Sequence, residues 1–429
     1  MSSPQSNRSV IRRIGNVLSR VSGYGLSVAA LAVAALAAIP AMIHADGAQA
    51  WAAIAVGQSI GGIAAVVIGY GWGMTGPARI AAAQPRGQRS EYVESLRVKL
   101  CIALPASAVA AACAVFLVPV YAVHAAIGAL AMSSVGLSAN WFFTGVRRPY
   151  LQLVAETAPR VAGTGIGIAL MYSGASAVVG MACQLGGMLL GFAIATSWVL
   201  SAFPRGGSTR QLRLVLSSQG TGLASTVLSA AYIAAPVAIV TQVAPGALPV
   251  FALIDKVQRQ ISVGLGPVIV VAQAWVPRAR GFSGLRQRVK QCVIGALSVG
   301  TLLGVITVIA APFLMDWLSG GVIEVPLAAL LLAGAFVAVG FIESTVSKAI
   351  MPAIDRVGVA AKAASISMIV GLPLVALGAV ALGVIGALSG VVFGLVVRVA
   401  IELASSGRRF SFPRESDLVQ ASSLGGQRA

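Results

Sequence analysis

Acidic residues are scarce in this chain of 429 residues: Asp and Glu number 12, against 30 Lys and Arg. Charged residues of both signs make up 10% of the chain, where a soluble domain carries about 25%. Hydrophobic residues make up 58%, and the mean hydropathy is +0.90, which places the chain in a bilayer. Histidine is nearly absent. His44 and His124 are the two copies, both assigned to outward loops, so no His-based metal site or proton relay is expected. The four cysteines (Cys101, Cys113, Cys183, Cys292) fall in or at the ends of apolar runs and offer neither a disulfide framework nor metal spacing. There is no GxxxxGK[ST] loop, so no ATPase is built in. Nor is there a polar stretch long enough to form a catalytic domain, or an outward loop long enough for a membrane-embedded polymerase or ligase. The chain is therefore not expected to be an enzyme, and no cofactor is expected.

What is present is a series of apolar runs. Twelve reach the roughly 20 residues that cross a bilayer core. They lie near 22–43, 51–72, 98–119, 123–143, 152–172, 176–200, 219–242, 248–276, 291–314, 326–348, 358–379 and 382–403. With the N-terminus placed in the cytoplasm, 25 of the 30 Lys and Arg fall in the two tails or the cytoplasmic connections. The other five (Arg160, Lys256, Arg259, Lys362, Arg398) lie within spans, and none falls in an outward loop. This asymmetry predicts N-in, C-in topology in a cell membrane. It also gives the net charge of +18 a reading other than nucleic-acid binding: topology plus attraction to anionic lipid. Residues 1–50 carry a basic region, an apolar run and Ala48-Gln49-Ala50, the parts of a signal peptide. The run from Gly25 to Met42 is longer than such a segment needs, and cleavage would leave eleven spans. The first span is expected to be retained.

Ionisable residues inside spans single out candidate function, because each costs on the order of 2.5–3.5 kcal/mol at the bilayer centre and must face protein or water. The eighth span carries three. Asp255 and Arg259 are four apart and share a helix face, whereas Lys256 is turned about 100° away without an obvious local partner. The fifth span carries Glu156 and Arg160, also four apart, with Pro159 between them. Arg398 and Glu402 repeat the spacing at the end of the last span, where an interfacial pair is expected. Arg20 stands at the mouth of the first span, which has no acidic residue. Glu91 and Glu94 with Arg97 read as a surface amphipathic turn.

The polar connector SAFPRGGSTRQLRLVLSSQG divides the chain into halves. The expected organisation is a cytoplasmic tail (1–21), a six-helix lobe (22–200), a linker (201–218), a second six-helix lobe (219–403) and a tail (404–429). The halves echo each other. The end of the second span and AQAWVPRARGFSGLRQRV both run aromatic, Pro, Arg, then basic. SANWFFTGVRRPYLQLVAETAPRVAG loosely matches VGFIESTVSKAIMPAIDRVGVAAKAAS. Duplicated halves of this kind typify secondary transporters.

The segments GYGWGMTGPARIAA, ANWFFTGVRRPYLQLVAETAPRVAG and Trp275-Val276-Pro277-Arg278 give the chain its family likeness. It resembles the O-antigen (Wzx-type) polysaccharide flippases of the multidrug/oligosaccharidyl-lipid/polysaccharide exporter superfamily. The resemblance implies an all-α polytopic fold, with twelve transmembrane helices in two six-helix lobes around a central cavity that opens alternately to each face. It implies a polyprenyl-diphosphate-linked saccharide as substrate, moved across the cytoplasmic membrane, with polysaccharide polymerase or glycosyltransferases as further partners beside the membrane lipids. The cavity positives of that family would map onto Arg160, Lys256 and Arg259, with Asp255, Glu156 and Arg20 beside them. Arg offers bidentate contacts to phosphate and Lys a compact charge. Two other functions stay open: a cation-coupled multidrug exporter, which generally wants an acidic embedded site, and a non-transporting scaffold for polysaccharide assembly.

Overall fold

The computed structural model describes residues 4–204, 210, 212–279 and 281–411, with backbone alone for 4–22, most positions in 212–228, and 408, 409 and 411. Among the described residues there is no strand. Twelve helical spans follow one another. The first stretch, Pro4–Gly69, is two helices, α1 (4–46) and α2 (48–69), broken where Gly47 takes φ +85°. Glycine enters that left-handed region without a Cβ penalty. Then come α3 (Pro85–Leu117), α4 (Pro119–Gly145), α5 (149–172), α6 (Ala177–Ala202) and α7 (Leu212–Val243). α8 is Pro245–Gly264 followed by Gly266–Arg278, bent by 43°. α9 (Gly281–Ser319) and α10 (Leu327–Ala353) precede a last stretch, Val357–Ser411, which Gly383 at φ +59° breaks into α11 (357–382) and α12 (384–411).

Seven helices among the described residues are long and apolar enough to cross a membrane, or eight with the bent α8 counted as one. Two of those seven, Gly23–Ala82 and Val357–Gly407, contain both members of a hairpin joined at Gly47 or Gly383. α5 and α7 complete the twelve. α5 is interrupted by an irregular turn, and among the described residues α7 contributes the shorter apolar helix Ser229–Val243. The chain is an all-α polytopic membrane protein.

The chain divides into two compact units: Met1–Thr241 with Leu318–Val322, and Gln242–Trp317 with Ile323–Ala429. In the first unit, α2 and α4 touch backbone to backbone. A Cβ added at Gly57 would sit 2.0 Å from the Ala125 carbonyl oxygen, and one at Gly128 would sit 2.5 Å from that of Ile54. Without a hydrophobic drive between helices in lipid, such small residues let dispersion and weak polar contacts act at close range. At the end of α2, the short helix Trp72–Ala82 lays Trp72 against Trp141, with ring centroids 5.1 Å apart. Tyr92, Phe142 and Phe143 complete a buried aromatic cluster. At the opposite ends of these helices, Asp46 Oδ2 accepts the Ala177 N–H at 2.8 Å and lies 2.8 Å from His124 Nε2.

Glu91 and Glu94 do not form a free surface turn. Arg210 donates to Glu94 from its backbone N–H (2.7 Å) and its Nε (2.9 Å), and Arg210 Nη2 pairs with Glu91 at 3.1 Å. The hydrogen bond to Glu94 holds the Arg210 guanidinium above its usual range. Of the expected linker (201–218), residues 205–209 and 211 lie outside the described residues, its ends belong to the helices that finish at Ala202 and begin at Leu212, and Arg210 between them is clasped to α3.

In the second unit, α11 and α12 are in backbone contact: a Cβ at Gly386 would sit 1.9 Å from the Gly378 carbonyl oxygen. The echo noticed in the sequence has a local counterpart. Arg147 (φ +57°) and Asp355 (φ +58°) are both left-handed, non-glycine residues ending a helix. After each, the next arginine closes the same bond back, Arg148 N–H to Phe143 O (3.0 Å) and Arg356 N–H to Met351 O (2.9 Å). This is the six-to-one bond of a Schellman cap.

Candidate functional site

The first unit holds a cavity of about 140 Å³ beside α5. Its polar lining includes Asn140, Gln152, Glu156 and Arg160, and its apolar wall includes Leu31 and Phe192. The local backbone explains the arrangement. Pro159 has no N–H to give the carbonyl four residues before it, and the hydrogen-bond pattern slips by one residue just upstream, into a π-turn at Leu153–Thr157. The same slip occurs in the second unit, where the π-turn Val346–Ile350 stands two residues before Pro352. The first π-turn carries Glu156; the second carries Ser347 and Lys348.

Glu156 and Arg160 share a helix face as their spacing predicts, but they do not form a direct pair. The Glu156 carboxylate is occupied from across the unit: Ala139 N–H donates to Oε1 at 2.5 Å and the Ser138 hydroxyl to Oε2 at 2.8 Å. Ala139 precedes the helix Asn140–Gly145, so Glu156 satisfies an N–H at a helix start, where a negative charge is favoured. Arg160 lines the same cavity, and among the described residues no carboxylate lies within ion-pair distance of its guanidinium.

Lys99 was missed by the sequence, where it counts among the cytoplasmic loop charges. It is 3% exposed on α3, and its Nζ donates to the Ser138 carbonyl at 2.7 Å. The same Nζ lies 5.9 Å from the centre of the Trp141 ring. Ser138 thus joins Lys99 to Glu156, its carbonyl taking one and its hydroxyl serving the other. The signal available was Lys99-Leu100-Cys101-Ile102, a lysine at the lip of an apolar run, which looks the same as an interfacial anchor.

In the second unit, Asp255 and Arg259 do pair, at 2.6 Å. Lys256 is half-buried and engaged rather than free. The side chain of Arg20 lies outside the described residues. Arg398 and Glu402 make the expected contact (3.2 Å), but it is no surface pair. Glu402 is fully buried, and Arg398 also reaches Glu343 at 2.9 Å and the Ser347 hydroxyl at 2.9 Å. Among the described residues no group of three or more His, Cys, Asp or Glu could hold a metal ion.

No family model and no curated protein matches the chain. Solved structures do. A multidrug resistance MATE family transporter of the MOP superfamily, in an inward-facing conformation, aligns over 87% of this chain and 93% of its own, with TM-score 0.66 and 16% identity. The eukaryotic MATE transporter AtDTX14 aligns over 95% and 97%, with TM-score 0.55 and 13% identity. A MATE structure in the bent conformation aligns over 92% and 95%, with TM-score 0.53 and 14% identity. Likeness at this identity establishes the fold: twelve helices in two lobes, as in MATE transporters.

Proposed function

We propose that this protein is a transporter that moves polyprenyl-diphosphate-linked saccharides across the cytoplasmic membrane for cell-surface polysaccharide biosynthesis, presenting a cationic site to each face in turn. The observation that carries the reading is the commitment of Glu156. Its carboxylate is filled by protein donors, so the Arg160 guanidinium is left without a direct ion pair and its N–H donors face the cavity's ligand. A buried cation free of a carboxylate favours an anionic or polar ligand and disfavours a drug cation. Within the second unit, α8 carries Lys256 beside the Asp255–Arg259 pair, and these are cations of the kind a diphosphate calls on. The N-in, C-in orientation follows from the placement of the basic residues.

The test is genetic. In cells that depend on this protein, Arg259→Ala and Lys256→Ala should reduce surface polysaccharide while leaving protein in the membrane. Unchanged polymer in both variants overturns the reading. One observation favours a second reading, a multidrug exporter: the solved neighbour with TM-score 0.66 is a multidrug resistance transporter. A clear change in drug susceptibility on overexpression, with polymer untouched, would select it.

A further inference from the structure

We propose that the cavity of the first unit receives a sugar residue of the lipid-linked saccharide, and not its diphosphate, with Gln152 as the residue that selects it. The inference rests on the substrate class argued above and assigns one part of that substrate to one place. Gln152 lines the cavity and is 8% exposed; its Oε1 is buried without a donor. Among the described residues the side-chain amide makes no hydrogen bond at either end. A buried amide in this state is costly unless a polar group from a ligand or water completes it. An amide has both donors and acceptors to fill. An ionised diphosphate only accepts. A sugar hydroxyl does both.

Charge points the same way. Arg160 lines the cavity, but Glu156 lines it too, and Lys99 lies behind Ser138, turned toward its carbonyl. A diphosphate would bring two or more negative charges against the Glu156 carboxylate with one guanidinium to offset them. A neutral sugar meets no such repulsion, and one carboxylated sugar would match Arg160 alone. The apolar wall of Phe192 and Leu31 gives the C–H face of a pyranose something to lie against, as ligand sites generally combine apolar walls with a few placed polar groups. Size agrees: about 140 Å³ is below the roughly 300 Å³ at which drug-sized sites begin.

The experiment uses purified full-length protein in detergent, titrated by ligand-observed NMR with the methyl glycosides of glucose, N-acetylglucosamine and glucuronic acid, and with inorganic pyrophosphate. At least one glycoside should bind wild type. Gln152→Leu should weaken it about tenfold, the usual scale for leaving one buried polar group unpaired, and leave any pyrophosphate binding unchanged. Gln152→Glu, which keeps the shape and adds a negative charge, should retain a neutral glycoside better than glucuronide. The inference is overturned if no glycoside binds wild type, if the Gln152 variants bind every glycoside as wild type does, or if pyrophosphate competes with the glycoside and depends on Gln152. Both variants must elute as monodisperse protein. A separate assay of lipid-linked saccharide movement in vesicles tests the substrate class. Failure there with glycoside binding intact would refute that class and leave the sugar site standing.

Discussion

Lys99 gives the sharpest test of how the first unit is held together. It is 3% exposed, hydrogen-bonded to the Ser138 carbonyl, and joined to Glu156 through Ser138. Lys99→Met keeps the length of the side chain and removes its charge. The change forfeits a charged hydrogen bond, worth about 1.5–3 kcal/mol, and leaves Glu156 with Arg160 as its nearest compensating cation. Breaking a buried charge arrangement outright costs about 3–5 kcal/mol, and Arg160 keeps the loss below that ceiling, so about 2–4 kcal/mol is expected. The melting entropy of about 2.1 cal/mol/K per residue, taken over the roughly 240 residues of the first unit, converts this to a fall of about 4–8 °C. Glu156→Gln should also destabilise. The double variant should cost less than the two singles added, by about 1–2 kcal/mol, because neither charge is then stranded. Thermal unfolding in detergent, followed by fluorescence-detected size exclusion, reads all three. A Lys99→Met midpoint within 1 °C of wild type, or strict additivity in the double variant, refutes the coupling.

Three further outcomes follow from the packing. Arg398→Leu should destabilise more than Glu402→Gln in the same melt, by about 2 kcal/mol or more, because it strands both Glu343 and the fully buried Glu402. Equal effects would mean that Arg398 is not what compensates them. Gly386→Ala should cost about 1–3 kcal/mol, since its Cβ would meet the Gly378 carbonyl at 1.9 Å and the α11–α12 hairpin must open, whereas Gly407→Ala, with nothing within 4 Å, should be near neutral. A Gly386→Ala melt matching wild type would contradict that contact. Arg147→Gly should raise the midpoint slightly, on the order of 1 kcal/mol, by relieving a left-handed arginine at φ +57°; a lower midpoint would show that the arginine side chain matters more than its backbone.

The span pattern was legible in the sequence because the bilayer leaves few choices: an apolar run near twenty residues long is a helix, and basic residues gather at one face. The ion pair of Asp255 and Arg259 was legible for the same reason, both partners lying on one helix face. What escaped is what depends on residues far apart in the chain. Glu156 was visible as a buried charge, but its donors come from Ser138 and Ala139, on another span, so the i,i+4 rule named the wrong partner. Lys99 sits where loop and span meet, and only the fold decides which side claims it. Arg398 and Glu402 read as an interfacial pair until α10 brought Glu343 and Ser347 against them. Pro159 was visible between Glu156 and Arg160, but the π-turns that precede it and Pro352 are a response of the hydrogen-bond ladder, and no residue type announces them.

Flipping itself is read by the movement of a fluorescent undecaprenyl-diphosphate-oligosaccharide between the leaflets of vesicles containing the purified protein, wild type beside Arg160→Gln and Arg259→Ala. Movement with wild type should exceed that in protein-free vesicles and fall by about tenfold or more in each variant. No movement with wild type across several oligosaccharides, while the same vesicles export a drug cation, would contradict it.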